Sequence, residues 1–285
     1  MFEEIRPLQL KQLQVLKEFK KICDKNGLQY YLSFGTLLGA IRHEGFIPWD
    51  DDVDVCMDYM DYMALDEACR RDLAKDYFLQ SAESDPESHL TYKKLRLNKT
   101  TQIHKDYAHK NMNHGIAIDI YPVFHVADNI IARKIQIICA AVYLLLVVGA
   151  PPRNHGRVIE SGGRMLLWFL RGKHGEIVKK YCLREMTKYE NVNTKFRAMF
   201  FGNLSYCQRV YEAKCFDGVV LKKFEDEEFS IPKNYDDWLK FTYGDYMKIP
   251  PVEEQGAKLG DIIKIDTETP YIEYKGIYYC TGDQA

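Results

Sequence analysis

The chain has 285 residues, of which 46% are hydrophobic and 28% are charged, and its formal net charge is −2. This composition is typical of a globular protein and excludes a disordered, collagen-like or multi-span membrane chain. Because Lys and Arg nearly balance Asp and Glu, bulk charge gives no reason to expect a nucleic-acid partner. The N-terminal residues show no secretory signal pattern, and the eight cysteines form no Cys-x-x-Cys pair. We therefore expect reduced thiols and a cytoplasmic location.

The hydrophobic pattern predicts alternating helices and strands over the first 125 residues. Apolar residues at spacings of three and four predict helices over 8–26, 37–41 and 59–76. Runs of aromatic and β-branched residues predict strands over 29–34, 50–56, 78–81, 92–97 and 115–121, and Pro122 is expected to close the last of them. This order is typical of an α+β fold with a mixed sheet rather than a regular parallel repeat.

Residues 126–200 have a different character. The segment 135–150 is almost entirely apolar, residues 165–170 form a second apolar patch, and Arg or Lys borders both. The longer segment is shorter than the ~20 residues of a membrane span. It fits either a buried core helix or peripheral contact with the cytoplasmic face of an anionic membrane. We expect a core at 1–125, a mostly helical acceptor-facing or membrane-facing region at 126–200, and a C-terminal segment at 201–285 that packs on the core.

The densest chemical feature is the sequence DDDVD at positions 50–54, which places four carboxylates within five residues. In a strand, Asp52 and Asp54 would point to the same face, about 6–7 Å apart. Two such carboxylates can share a hard divalent cation that relieves their repulsion, whereas the alternative is an exposed acidic turn. We predict a metal site that binds Mg²⁺, with Mn²⁺ as the alternative ion.

Three nearby features fit this site. Gly35 and Thr36 end a strand and begin a helix, where backbone N–H groups and a hydroxyl can contact phosphate. Asp119 is the single charged residue of an apolar strand, which favours a role as a third metal ligand. Lys94 alternates with Lys93, so one of them would face the acidic site and bind phosphate oxygens, unless both are simply solvated.

The sequence YLSFGTLLGAIRHEGFIPWDDDVD, residues 31–54, resembles the signature of the LicD family. That family includes bacterial phosphocholine transferases and is related to the fukutin group. The segments YKKLR at 92–96, GIAIDIYP at 115–122 and YGDYMKIPP at 243–251 are similar to its later motifs. In fold, the resemblance implies a nucleotidyltransferase core of the DNA polymerase beta type.

In activity, the resemblance implies metal-dependent transfer of phosphocholine, or a similar phospho-substituent, from CDP-choline or a related CDP-alcohol. The acceptor would be a hydroxyl of a lipopolysaccharide, teichoic acid or capsule precursor, including lipid-linked glycans. By motif position, Asp52, Asp54 and Asp119 would be the catalytic and metal-binding carboxylates. The substrate-binding positions would be Gly35, Thr36, Arg42, His43, Lys93 and Lys94. For His43, a structural hydrogen bond is an equal alternative.

Choline would be recognised by an aromatic cage. The candidates for the cage are Trp49, Tyr121, Tyr235 and Trp238, and core packing is the alternative for each of them.

Three other functions stay open at this point: an Asp-x-Asp glycosyltransferase, a true nucleotidyltransferase, and an inactive membrane-associated scaffold. Glycosyltransferases usually build a nucleotide-binding βαβ region before the Asp-x-Asp motif, whereas Asp52 follows only one helix, one strand and the Gly-Thr turn. A scaffold would be favoured by the loss of a metal carboxylate, and all three are present. The sequence cannot separate nucleotidyl transfer from phosphocholine transfer, because only the bound orientation of the diphosphate differs between them.

Overall fold

The computed structural model describes residues 2–151, 157–201, 204–256 and 261–282. Its helices are α1 (Phe2–Asn26), α2 (Phe34–Arg42), α3 (Tyr59–Asp72), α4 (Ile130–Val148), α5 (Arg157–Phe169), α6 (Lys173–Met186), α7 (Leu204–Cys207) and α8 (Tyr235–Tyr243). Its strands are β1 (Tyr31–Leu32), β2 (Asp54–Asp58), β3 (Tyr77–Gln80), β4 (Lys93–Leu97), β5 (Thr101–His104), β6 (Ile116–Val126), β7 (Phe196–Ala198), β8 (Val210–Glu212), β9 (Val219–Phe224), β10 (Glu227–Pro232) and β11 (Ile262–Asp266).

A mixed sheet with the order β1-β2-β6-β4-β3 forms the centre of the fold. The strands β2 and β6 run parallel, and the other pairs of this sheet are antiparallel. After Ile120, where its pairing with β4 stops, β6 pairs with β7, and β7 pairs with β8. The remaining strands form the hairpin β9–β10 and the pair β5–β11. The chain therefore has an α+β fold with a mixed sheet, and the region 126–200 also contributes the strand β7 to it.

The two faces of the sheet are chemically different. Helices α1 and α3 cover one face, where the side chains of Val55, Leu95 and Ile118 are fully or almost fully buried. Because side chains alternate along a strand, the neighbouring residues point to the opposite face. Those residues include Asp54 on β2 and Asp119 on β6, so the carboxylates lie on the face that α1 and α3 leave uncovered.

The predicted strand ends differ from the structure at both sides of the acidic sequence. The strand predicted over 29–34 contains only Tyr31 and Leu32, because α2 already begins at Phe34, whose φ is +45°. The strand predicted over 50–56 begins only at Asp54. Residues 50–53 form a loop, so the expectation that Asp52 and Asp54 alternate within one strand is wrong.

The prediction that Pro122 closes its strand is also wrong, because β6 continues to Val126. The amide of Asp119 donates to the Val53 carbonyl on the β2 side, so the amide position of residue 122 faces the other side of β6. There Pro122 lies between the stretch that pairs with β4 and the stretch that pairs with β7. Its missing N–H therefore removes no ladder hydrogen bond.

Candidate active site

Two carboxylates lie side by side at the centre of the sheet. Asp54 and Asp119 are direct partners in the parallel pair of β2 and β6. The Tyr121 hydroxyl lies 3.2 Å from Asp54 Oδ1 and 3.2 Å from Asp119 Oδ2, so it can donate a hydrogen bond to either. The alternation along β6 places Tyr121 on the same face as Asp119. The structure thus brings together two of the three predicted metal ligands.

The carboxylates of Asp50, Asp51 and Asp52 form an adjacent group. One ligand atom from each lies within 4.8 Å of the others, and Asp52 is exposed. Helix α1 fixes the backbone of this loop, since Gln9 Nε2 donates to the Asp50 carbonyl at 2.9 Å and Gln12 Nε2 donates to the Asp51 carbonyl at 2.7 Å. Because side chains bind these carbonyls, the backbone turns here instead of continuing the strand.

The charges of the group act on Asp54, which is 8% exposed. Burial raises the pKa of Asp54 well above its usual range, and the charges of Asp52 and Asp119 raise it further. Tyr121 opposes this shift by hydrogen bonding, and burial also raises the pKa of the Tyr121 hydroxyl, so that it stays protonated. Asp54 therefore lies in a field of negative charge, which is the electrostatic situation that favours a bound cation.

Thr36 positions Asp54 from the start of α2. Its side chain is 3% exposed, and Thr36 Oγ1 accepts a hydrogen bond of 2.8 Å from the Asp54 amide. The structure therefore gives this hydroxyl a partner within the protein, whereas the sequence predicted phosphate contact. Gly35 leaves space for a neighbouring carboxylate, because a Cβ there would lie 2.7 Å from Asp50 Oδ2. The Asp50 carboxylate thus lies beside the first turn of α2, where the helix dipole favours a negative charge.

The two adjacent lysines of β4 point to opposite faces of the sheet. Lys94 Nζ lies 2.7 Å from Asp119 Oδ1, so Lys94 belongs to the carboxylate site. Lys93 Nζ donates to Asp66 Oδ2 at 2.8 Å and lies 4.0 Å from the centre of the Tyr62 ring, both on α3. The structure places Lys93 outside the site, which separates the two predicted phosphate-binding lysines.

Arg42 and His43 lie at the end of α2. The Arg42 guanidinium donates to the Tyr246 carbonyl at 2.9 Å. Burial lowers the pKa of Arg42, and the negative charge of Asp50 opposes this shift. Arg42 connects the acidic loop with the segment whose sequence, YGDYMKIPP, resembles the last family motif. His43 ends the helix with a backbone hydrogen bond to Gly39, and its ring lies edge-on to Trp49 at 6.2 Å between centroids. The His43 ring also lies 3.5 Å from Arg42 Nε, from which its Nδ1 accepts a hydrogen bond, and both alternatives for His43 stay predictions.

Aromatic rings pack around Tyr121, the residue whose hydroxyl contacts both carboxylates. Tyr121 stacks on Phe201 with 3.9 Å between ring centroids and contacts Tyr92 at 4.7 Å. Tyr121 is therefore the candidate cage residue that lies beside the carboxylates. Trp238 is 1% exposed in the core, which excludes it from an open cage in this conformation. Trp49 and Tyr235 are half-buried and pack against the core.

Sequence reasoning missed three residues that build the site. Gln9 and Gln12 hold the acidic loop, and both are almost fully buried. A buried glutamine among apolar residues of a helix is a signal that could have indicated a polar partner. Tyr92 is the third; burial and the neighbouring Asp119 raise the pKa of its hydroxyl well above the usual range. Lys94 follows two residues later, and the alternation of side chains along a strand could have indicated that Tyr92 and Lys94 lie on the same face.

The sequence of residues 27–136 matches a family model described as LicD/FKTN/FKRP, nucleotidyltransferase domain. The chain carries a LicD-family domain. The matched residues include both strands that carry the predicted site carboxylates, β2 with Asp54 and β6 with Asp119. The LicD resemblance predicted from the motifs is thereby confirmed.

Relatives extend this similarity over most of the chain. The chain is 27% identical over 267 residues to the lipopolysaccharide cholinephosphotransferase LicD of Haemophilus influenzae, which covers 88% of this chain and 94% of that protein. Shorter stretches of the chain are similar to uncharacterised proteins of Rickettsia prowazekii, 41% identical over 19% of this chain and 20% of that protein, and of Rickettsia typhi, 48% identical over 15% of this chain and 14% of that protein.

Proposed function

We propose that this protein transfers phosphocholine, or a closely similar phospho-substituent, from a CDP-activated alcohol to a hydroxyl of a cell-surface glycan precursor. The observation that carries the proposal is the pair Asp54 and Asp119 on the adjacent parallel strands β2 and β6, with the ammonium of Lys94 from β4 at 2.7 Å from Asp119. The family of the domain and the cholinephosphotransferase named among its relatives support the donor and acceptor classes. We assign the core to the nucleotidyltransferase type on the same grounds.

The carboxylates fit a divalent cation. The negative charges of Asp50, Asp52 and Asp119 repel that of Asp54. Sites with several carboxylate oxygens of this kind suit Mg²⁺ or Mn²⁺. Asp52, Asp54 and Asp119 would hold the ion, with Asp50 and Asp51 nearby in the loop. A bound cation would offset the negative charge of the diphosphate as the CMP group leaves.

The protein's own groups have separate tasks in this proposal. Lys94 supplies a positive charge beside Asp119 that can contact a phosphate oxygen of the donor. Thr36 fixes the backbone of Asp54 by accepting from its amide, and Tyr121 fixes the carboxylate by donating to it. One of the carboxylates accepts the proton of the acceptor hydroxyl as that oxygen attacks phosphorus in line with the leaving group.

The direct test measures CMP release from CDP-choline, CDP-ethanolamine and CDP-glycerol with a lipopolysaccharide-derived, a teichoic-acid-derived or a capsule-derived acceptor. We expect CDP-choline to be used, chelation of divalent ions to stop the reaction, and added Mg²⁺ or Mn²⁺ to restore it. Asp52→Asn and Asp54→Asn should each lower the rate at least about a hundredfold, as the removal of a major electrostatic contribution does. Asp76→Asn, a matched change at an exposed carboxylate, is the control.

The products distinguish phosphocholine transfer from its nearest alternative. Transfer of the phospho-substituent releases CMP and leaves phosphocholine on the glycan, whereas nucleotidyl transfer would release phosphocholine and leave CMP on the glycan. Phosphorus NMR and mass spectrometry of the acceptor tell the two apart. Near-normal turnover in Asp54→Asn, or CMP on the acceptor, would overturn the proposal.

A further inference from the structure

The helices α4, α5 and α6 expose apolar residues on their outer faces. On α4, the residues Ile131, Ile135 and Ile138 are 45–68% exposed and lie about one helical turn apart, on one side. On α5, Met165, Trp168 and Phe169 are 60–62% exposed at the same helical spacing. On α6, the exposed apolar residues are Ile177 and Tyr181. We call these eight residues the apolar face.

Helix α4 is apolar on its inner side as well. Its inner residues Cys139, Ala140 and Leu144 are buried against α6 and the end of β6. Over an 18-residue window its mean hydropathy is 2.1 and only 22% of the window is buried, so by length and composition it could cross a membrane. A helix that covers a soluble core normally carries polar residues on its outer side. After Lys134, the polar residues of α4 are Gln136, which is buried on the inner side, and the half-buried Tyr143.

The inner side of α4 is tied to the rest of the fold. The buried Gln136 side chain accepts a hydrogen bond from the Ala127 amide at 2.8 Å and donates to the Met186 carbonyl at 3.1 Å. Insertion of α4 across a bilayer would break these bonds and expose the core beneath it. An orientation in which α4 lies flat, with its inner side on the protein, keeps every one of these contacts.

Charge distinguishes the partners that could cover the apolar face. Residues 130–186 contain ten Arg and Lys against three Glu, a net charge of +7 in a chain whose total is −2. Exposed basic residues border the face on all three helices or their ends, among them Lys134, Arg171, Lys173, Lys180 and Arg184. A second copy of the chain would place two such positive surfaces against each other, whereas an anionic surface complements them.

We propose that the apolar face and its basic border dock on the surface of an anionic lipid bilayer. Ile, Met, Phe and Trp side chains would enter the boundary between headgroups and acyl chains, about 5–10 Å deep, while the Lys and Arg side chains contact anionic headgroups. The protein would then be held at the membrane where a lipid-linked acceptor resides. The docking does not depend on the proposed reaction, because none of its residues belongs to the carboxylate site.

Flotation of the full-length protein with lipid vesicles tests the proposal. We expect flotation with phosphatidylcholine vesicles that contain phosphatidylglycerol at about 0.1 M salt, and loss of it at about 1 M salt, where the screening length falls to about 3 Å. Pure phosphatidylcholine vesicles should bind much more weakly. Neutralising Lys134, Arg171 and Lys173 with Gln should weaken binding about fivefold for each residue.

The apolar contribution is tested separately. Trp168→Ala with Phe169→Ser should weaken vesicle binding at least about tenfold, since two large side chains no longer enter the interface. Ile272→Ser with Ile277→Ser, two equally exposed apolar residues elsewhere on the chain, is the matched control and should bind as the wild type does. Lys75→Gln with Lys233→Gln is the control for charge. Unchanged thermal unfolding ensures that each variant is folded.

Three results would overturn the proposal. One is failure to float with every vesicle composition, and another is equal binding to neutral and anionic vesicles. The third is a dimer in solution that Trp168→Ala dissociates, because a second copy would then cover the apolar face. In parallel, the release of CMP from a soluble donor is measured with the same variants and a soluble acceptor. This separates a failure of docking from a failure of the proposed reaction.

Discussion

The role of the Thr36 hydroxyl can be decided by a pair of substitutions. Thr36→Val keeps the shape of the side chain but removes the oxygen that accepts the Asp54 amide at 2.8 Å. A buried amide left without a partner costs about 1–3 kcal/mol. For a chain of this length, whose unfolding entropy is about 0.6 kcal/mol/K, that corresponds to a fall in Tm of roughly 2–5 °C. Thr36→Ser keeps the acceptor and should lose much less, because only a methyl group is removed.

The measurement is thermal and denaturant-induced unfolding without any substrate, followed by CMP release for the same variants. We expect Thr36→Val to be less stable than Thr36→Ser and also less active, because Asp54 loses one of the groups that position it. If Thr36→Val is as stable as the wild type and only the KM for the donor rises, the hydroxyl contacts substrate instead. That outcome would refute the positioning role and restore the phosphate contact expected from the motif.

Two further changes test the packing and the buried charge. In Gly39→Ala the new Cβ would lie 2.5 Å from the Gly45 carbonyl oxygen, so we expect the free energy of unfolding, measured with denaturant, to fall by about 1–3 kcal/mol. The control is Gly162→Ala, whose new Cβ meets nothing within 4 Å and should be neutral or slightly stabilising. Burial raises the pKa of Glu190 to about 8, so its protonated form favours the folded state, and stability should fall as pH rises from about 4.5 to about 8. Glu190→Gln keeps an oxygen that accepts from the His125 amide, so its free energy of unfolding should fall less over that pH range. If the wild type and Glu190→Gln lose stability with the same pH slope, the buried-carboxyl explanation is contradicted.

Local patterns predicted the elements of the core well because their hydrophobic periods are clear. The helix predicted over 8–26 is α1, the helix over 59–76 is α3, and the strand over 92–97 is β4. The strand period also predicted that Lys93 and Lys94 face opposite sides. It could not indicate which side holds the carboxylates, because that depends on α3, whose Asp66 pairs with Lys93.

Errors arose where distant residues decide the backbone path. The loop at 50–53 follows from hydrogen bonds that Gln9 and Gln12 donate from a helix about forty residues earlier. Pro122 is tolerated within β6 because two different strands pair on either side of it. Neither effect can be read from a window of a few residues, since both depend on tertiary pairing.

The carboxylate site is built at the expense of the fold's own stability. Asp54 is buried among like charges, and burial alone opposes its ionisation. The Tyr121 hydroxyl, which lies between the two carboxylates, opposes the resulting rise in pKa by hydrogen bonding to Asp54, while Lys94 pairs with the neighbouring Asp119. The hydrogen bond from Tyr121 compensates only in part, since the pKa of Asp54 remains raised. A cluster that violates the usual rule for buried charge, and that the surrounding fold holds in place, is the kind of local conflict expected at a functional site rather than in a structural core.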